Sequence, residues 1–149
     1  MTRDSLNGQL RLLQPPDASE VAALWHAGAK ESASVDPSFF PRVSLEEYAA
    51  FLANDFSQGS CIGWGVFAKE PQCLLAYLTA RVMVPDPEFK QTRFLYLLDL
   101  DVHREARRHG LGARLVAAAK AYARTENLAS IEVSWLTSDP RASAFWQKQ

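Results

Sequence analysis

Residues 93–115 read RFLYLLDLDVHREARRHGLGARL, and their order leaves the chain few ways to fold. An apolar and aromatic run up to Val102 has the length of a strand, and an alanine-rich helical pattern over residues 112–127 follows. Between them lies a basic loop ending in Gly110-Leu111-Gly112. A strand feeding a helix in this way predicts a second, parallel strand beyond the helix, because the right-handed crossover packs the helix back onto the sheet. Residues 131–136, IEVSWL, supply that strand. The same order gathers backbone N–H groups, a helix N-terminus and the side chains of Arg107, Arg108, His109 and Arg114 around one point. Such a point suits a pyrophosphate. Glycine is needed there because a side chain holds the backbone away from a phosphate.

Other phosphate-binding patterns fit less well. A dinucleotide fingerprint needs G-x-G-x-x-G/A, but its sixth position counted from Gly110 is Leu115, and only Glu132 offers an acidic ribose partner. The Gly-Lys-Ser/Thr of a Walker loop occurs nowhere. Seven residues, His103 through His109, separate Val102 from Gly110, whereas a dinucleotide loop turns directly after its strand. On the residues alone, a plain strand-to-helix turn with solvated arginines stands as the alternative.

The rest of the chain reads as alternating elements. Residues 9–13 (QLRLL) alternate apolar and polar and predict a first strand, ended by Pro15-Pro16. Asp17 as N-cap, with Glu20 three residues on, predicts a helix carrying Val21, Leu24 and Trp25 on one face. Pro37 and Pro41 around Phe39-Phe40 make residues 32–43 a loop. Ser44 and Glu47 form a second capping-box pattern, opening a helix with Tyr48, Phe51 and Leu52 that ends near Gly59. Residues 61–69 and 74–84 read as strands joined by a turn at Glu70-Pro71-Gln72, and Pro85-Asp86-Pro87 breaks the chain before residues 93–102. A last helix starts at Ser138 or Asp139, with Pro140 in its first position and Phe145 facing inward. No repeat or linker interrupts this order, so one α/β domain is expected over residues 1–149.

Composition narrows the class of protein. Hydrophobic residues at 48%, charged residues at 22% and a net charge of −1 describe a globular chain with no overall attraction to nucleic acid or an anionic membrane. The N-terminal MTRDSLNGQL lacks a signal-peptide core, and no run approaches the roughly 18 apolar residues of a membrane helix, so a cytoplasmic protein is expected. Cys61 and Cys73 stand outside any His–Cys cluster of metal-binding spacing, which predicts reduced thiols and no metal.

Arg107-Arg108-His109-Gly110-Leu111-Gly112 resembles the Arg/Gln-x-x-Gly-x-Gly/Ala motif with which the GCN5-related N-acetyltransferases (GNAT) bind acyl-CoA. Leu100-Asp101-Val102 stands where that family has its apolar strand end. Asp139-Pro140-Arg141-Ala142-Ser143-Ala144-Phe145-Trp146 is similar in spacing to the family's Asn-x-x-Ala-x-x-Phe/Leu-Tyr helix, with Asp for Asn and Trp for Tyr. The order of elements resembles the family's as well, so the likeness covers nearly the whole chain. It implies an α/β fold with a mixed central sheet splayed between the fourth and fifth strands and helices on both faces. It also implies acetyl-CoA as cosubstrate and a small-molecule or peptide amine that attacks the thioester directly. By the same resemblance the main chain at Leu100, Asp101 and Val102 pairs with the pantetheine arm. Arg107, Arg108, His109, Gly110, Leu111, Gly112 and Ala113 then hold the pyrophosphate, and Asp139 and Trp146 lie beside the cosubstrate. A tryptophan in place of Gly112 is expected to abolish CoA binding and leave the fold intact.

Departures from the family's pattern bear on catalysis. Asp99 and Asp101 are the carboxylates available as base, but several relatives carry a glutamate where this chain has Leu98. Asp99 reads equally as a buried carboxylate bonded to loop N–H groups. In a regular strand both aspartates share a face with Leu95 and Leu97, although relatives often bulge here and break that parity. The family's tyrosine, which serves as acid to the leaving thiolate, is Trp146, whose indole N–H donates a hydrogen bond but does not give up its proton. Ser143, one turn earlier, is the candidate relay through water. Asp99 and Ser143 are thus the catalytic candidates, and a catalytically impaired acyl-CoA-binding or regulatory module is the alternative function. A nucleotide-binding domain unrelated to CoA is a third reading. The family's pattern continues into two further strands, whereas this sequence stops at Gln149, so a domain without those strands is expected, with a homodimer as the assembly that covers its edge. For the acceptor region the sequence offers Trp25, His26, Glu31, Asp36, Phe39, Phe40 and Tyr48.

Overall fold

The computed structural model describes residues 5–90 and 92–149. Its strands are β1 (Gln9–Leu12), β2 (Ile62–Lys69), β3 (Gln72–Met83), β4 (Phe94–Val102) and β5 (Ile131–Val133). Its α-helices are α1 (Ala18–Ala33) and α2 (Leu45–Gln58) before β2, α3 (Leu111–Thr125) between β4 and β5, and α4 (Pro140–Trp146) after β5. The strands lie in the order β1-β2-β3-β4-β5, antiparallel up to β4 and parallel between β4 and β5. This is the mixed sheet that the strand–loop–helix segment predicts.

Each sheet face has its own core. Trp64, Val66, Ala76, Leu78, Ala80, Leu95 and Leu97 bury against Leu111, Leu115, Val116, Ala119 and Ala123 of α3. The small residues of α3 let its backbone approach the sheet closely. On the opposite face Phe67, Leu74 and Tyr77 bury against Leu13, Ala18, Val21, Ala22 and Leu52, which brings α1 and α2 over that side.

Local signals explain the helix ends. Glu47 N–H donates to Ser44 Oγ at 3.1 Å while Ser44 N–H donates to the Glu47 carboxylate at 2.8 Å, closing the expected capping box of α2. Gly59 then ends α2 in the left-handed region, with φ of 71°. Asp139 caps α4 through the N–H groups of Arg141 and Ala142. The start of α1 differs from expectation. A 3-10 turn at Pro15–Asp17 puts Asp17 in helical geometry, so its carboxylate accepts from Arg11 and from Gln14 N–H rather than capping α1. Glu20 accepts from Leu74 N–H on β3 instead of closing a box.

Two irregularities shape β4. Thr79 is registered with Asp99 but Ala80 with Leu97, so Leu98 is an extra residue in β4. Beyond this bulge Leu100 and Val102 join Leu95 and Leu97 on the α3 face, and Asp99 and Asp101 turn to the α1–α2 face beside Thr79 and Tyr77. The parity of a regular strand therefore breaks just before Asp99. Pairing with β5 also stops at Leu97 and Val133, and the two parallel strands splay apart beyond that point. The strand expected over residues 131–136 is short for this reason, since residues 134–136 diverge from β4.

Cys61 and Cys73 are free thiols. Among the described residues no helix is long and apolar enough to cross a membrane, and no cluster of His, Cys, Asp or Glu is placed to hold a metal.

Candidate active site

The splay opens a cleft of about 1040 Å³. Residues 97–102 of β4 form its floor, and the start of α3 with Phe145 and Trp146 of α4 forms one wall. Trp25, Gly28 and Glu31 of α1 with Phe39 form the other. Because β5 has diverged, the main chain of residues 98–101 has no strand partner on that side among the described residues. It is a free edge inside a cleft, ready to pair with an extended guest.

At one end of the cleft the basic loop turns into α3. Arg108 adopts φ of 64° and Gly110 φ of 75°, and this left-handed pair brings the chain round to the helix. Gly110 is the N-cap and no side chain caps α3. The N–H groups of Leu111, Gly112 and Ala113 have no carbonyl one turn back, so the helix start offers donors of the kind that suit an anion. A Cβ at Gly110 would meet nothing within 4 Å, so conformation rather than crowding calls for glycine. At Gly112 the reason is packing: a Cβ would lie 2.9 Å from Phe145 Cε2, so a bulky residue displaces α4. The expectation that a tryptophan there leaves the fold intact is corrected by this contact.

The cations of the loop have separate partners. Arg107 Nε donates to Val102 O at 3.2 Å, and its terminal nitrogen donates to both Glu31 oxygens at 3.0 and 2.9 Å. Arg141 of α4 reaches the same carboxylate at 3.0 Å. Glu31 thus ties α1, the loop and α4 together. Burial raises the Glu31 carboxyl, but the bonds from Arg141 and Arg107 outweigh it and hold the group below its usual range. Arg114 turns away from the glycines to the carbonyl of Gly8 at 3.1 Å. Arg108 and His109 are exposed beside the helix start, with His109 Nδ1 2.7 Å from Arg107 O.

The carboxylates occupy the middle of the cleft. Asp101 accepts from the fully buried Tyr77 hydroxyl at 2.6 Å. Burial pushes the Asp101 carboxyl up to about 7; the Tyr77 bond and the Arg107 charge oppose that rise, and the Asp99 charge adds to it. Asp99 receives a long bond of 3.4 Å from Tyr48 and is raised by burial. Gly28 has the Asp101 carboxylate where its Cβ would stand, so only glycine admits that side chain under α1. A glycine within a helix is costly, and Gly28 in the middle of α1 is the sequence signal of this approach.

The remaining expected residues divide. Trp146 lines the cleft, edge-on to Phe145 with ring centroids 4.9 Å apart. Ser143 does not line it; its hydroxyl accepts from Trp135 Nε1 at 3.2 Å and donates to Thr137 O at 3.3 Å. Asp139 lines the cleft, though its carboxylate serves as the cap of α4. Trp25 stacks on Tyr48 at 3.8 Å between centroids. Asp36 accepts from Ser38 N–H and shapes the turn before Phe39.

A free strand edge, an uncapped helix start and a buried carboxylate now share one cleft, and the sequence profile described as the Acetyltransferase (GNAT) family matches residues 18–149. The chain belongs to the GNAT acetyltransferases. Solved structures share the GNAT fold. A tetramutant of the BH1408 protein from Bacillus halodurans superposes with a TM-score of 0.83 at 19% identity, covering 94% of this chain and 90% of that one. A ribosomal-protein-alanine N-acetyltransferase from Brucella melitensis biovar Abortus 2308 gives 0.68 at 17% identity, covering 94% and 89%. An aminoglycoside acetyltransferase from an uncultured soil metagenomic sample, in complex with trehalose, gives 0.70 at 17% identity, covering 95% and 86%. No curated protein matches the sequence.

Proposed function

We propose that this GNAT protein transfers the acetyl group of acetyl-CoA to a primary amine by direct attack within a ternary complex. The observation that carries the reading is the free edge of β4 inside the cleft with the Asp101 carboxyl beside it, a group that burial pushes up to about 7. The N–H groups at the start of α3, with Arg108 and His109, fit a pyrophosphate. The main chain of Leu100 and Asp101, left open by the splay, would pair with the amide-bearing pantetheine arm, and an N–H there would be available to the thioester oxygen. Acetyl-CoA, when bound, supplies an activated acyl thioester. Asp101 takes a proton from the substrate ammonium, the neutral nitrogen bonds to the carbonyl carbon, the carbon–sulfur bond breaks, and the released thiolate takes up the second proton that the nitrogen sheds as the amide forms. Trp146 donates a hydrogen bond toward that sulfur without surrendering its proton. Asp99 supports the field of the acceptor side, and Ser143, bonded to Trp135 and Thr137, takes no part.

Trp146, standing where the family pattern has tyrosine, favours the second reading of an acyl-CoA-binding module with weak turnover. Two measurements together test the assignment: calorimetry with CoA, and thiol release from acetyl-CoA with primary amines. CoA binding with amine-dependent thiol release is expected. No CoA binding at millimolar concentration overturns the assignment, and binding without release from any amine favours the second reading.

A further inference from the structure

Asp99 and Asp101, half-buried where they line the cleft, lack something that carboxyl groups drawn partly out of water normally have. Charges withdrawn from water are paired or neutralised. Here each carboxylate has one hydroxyl donor, Tyr48 or Tyr77, and among the described residues neither has a salt-bridge partner. The guanidinium groups that could serve are committed elsewhere. Arg107 is held by Glu31, and Arg81, on the same face of β3, pairs with Asp55 and donates to Ser60 O. Both aspartates line the cleft. Two carboxyl groups therefore face one cavity without an internal counter-ion.

The surroundings of Asp99 say what the missing cation is attached to. Tyr48 binds Asp99 and also stacks flat on Trp25, which itself lines the cleft. A carboxyl group with aromatic rings beside it suits an ammonium, and the rings also give its methylene neighbours an apolar surface. Asp99 and Asp101 are two residues apart on one side of an extended strand, about 6.6 Å along it. We infer that the acceptor is a diamine: its reacting nitrogen meets Asp101 while a second ammonium a few carbons away meets Asp99 on the cleft side, near Trp25. A monocation leaves one of the carboxylates uncompensated, and a dication pairs both. This rests on the acetyl-transfer reading given above and narrows its acceptor.

The test compares thiol release from acetyl-CoA with putrescine, n-butylamine and phenethylamine, using the wild-type protein and Asp99→Asn. Putrescine should exceed n-butylamine in kcat/KM by at least about tenfold, and Asp99→Asn should reduce that ratio toward unity. Equal use of the two, an unchanged ratio in the variant, or a preference for phenethylamine overturns the inference and leaves acetyl transfer standing. If Asp99→Asn does not fold, the wild-type ratio alone decides. CoA binding without release from any of the three amines fails the transfer reading itself, and the inference with it.

Discussion

Replacing Asp101 by asparagine separates what this residue contributes to chemistry from what it does to stability. Asparagine keeps the shape and an oxygen able to accept the Tyr77 hydroxyl at 2.6 Å, but it cannot ionise. In the fold the Asp101 carboxyl is pushed from its ordinary 3.8 up to about 7. Each pH unit across that interval costs about 1.4 kcal/mol of stability, giving a ceiling of about 4 kcal/mol that the open side toward the cleft reduces. The sign follows from the raised value. The native state holds the proton more tightly than the unfolded chain, so stability is fully present below about pH 4 and is lost as pH rises through about 7. Urea titrations of wild type and Asp101→Asn at pH 5 and pH 8 read this directly, because every other ionisable group is common to both proteins and cancels in the difference. The variant should gain on wild type by roughly 2–3 kcal/mol between the two pH values, and should be the more stable protein at pH 8. A difference constant to within about 0.5 kcal/mol refutes the reasoning, since Asp101 would then not be carrying an ionisation cost.

The same carboxyl sets the pH dependence of transfer: kcat/KM should rise through about pH 7, and Asp101→Asn should lower it by about 10²–10⁴-fold in steady-state thiol release. Gly28→Ala places a methyl group where the Asp101 carboxylate stands. It should lower kcat/KM by about tenfold or more, while overpacking of about 1–3 kcal/mol is partly offset by better helix propensity, as a melting curve will show. Glu31→Gln releases Arg107 and Arg141 beside the helix start. It should cost about 1 kcal/mol or less because these groups are substantially exposed, and calorimetry should find tighter CoA binding at low salt, a gain that fades at high salt.

Much of this molecule can be read from residue order because its signals are local. The strand, basic loop and alanine-rich helix announced the β4–α3–β5 crossover, and Ser44 with Glu47 and Asp139 with Pro140 marked helix starts within a few residues. Asp17 misled for an equally local reason, since the preceding prolines built a 3-10 turn that removed its capping geometry. The chemistry was less legible. Tyr77 and Asp101 are 24 residues apart, Glu31 and Arg141 110 apart, and no spacing rule connects them. The outward turn of both aspartates depends on one extra residue in β4, set by pairing with β3 and invisible in β4 alone. Ser143 had the right helical spacing for the cleft, but its rotation is set by bonds to Trp135 and Thr137.

Leu98 acts like an inserted letter that shifts a reading frame. Upstream of it, every second side chain belongs to the apolar core with α3; downstream, the same counting reaches Asp99 and Asp101. Were Leu98 paired as an ordinary strand residue instead of bulged, that count would carry both carboxyl groups into the space now filled by Leu100 and Val102, against α3. The cost of that register would fall on the core with α3, and so on folding before activity. With one extra residue in β4, the bulge is what keeps both carboxyl groups toward the cleft, and a strand shortened by Leu98 would reach the same facing by plain alternation.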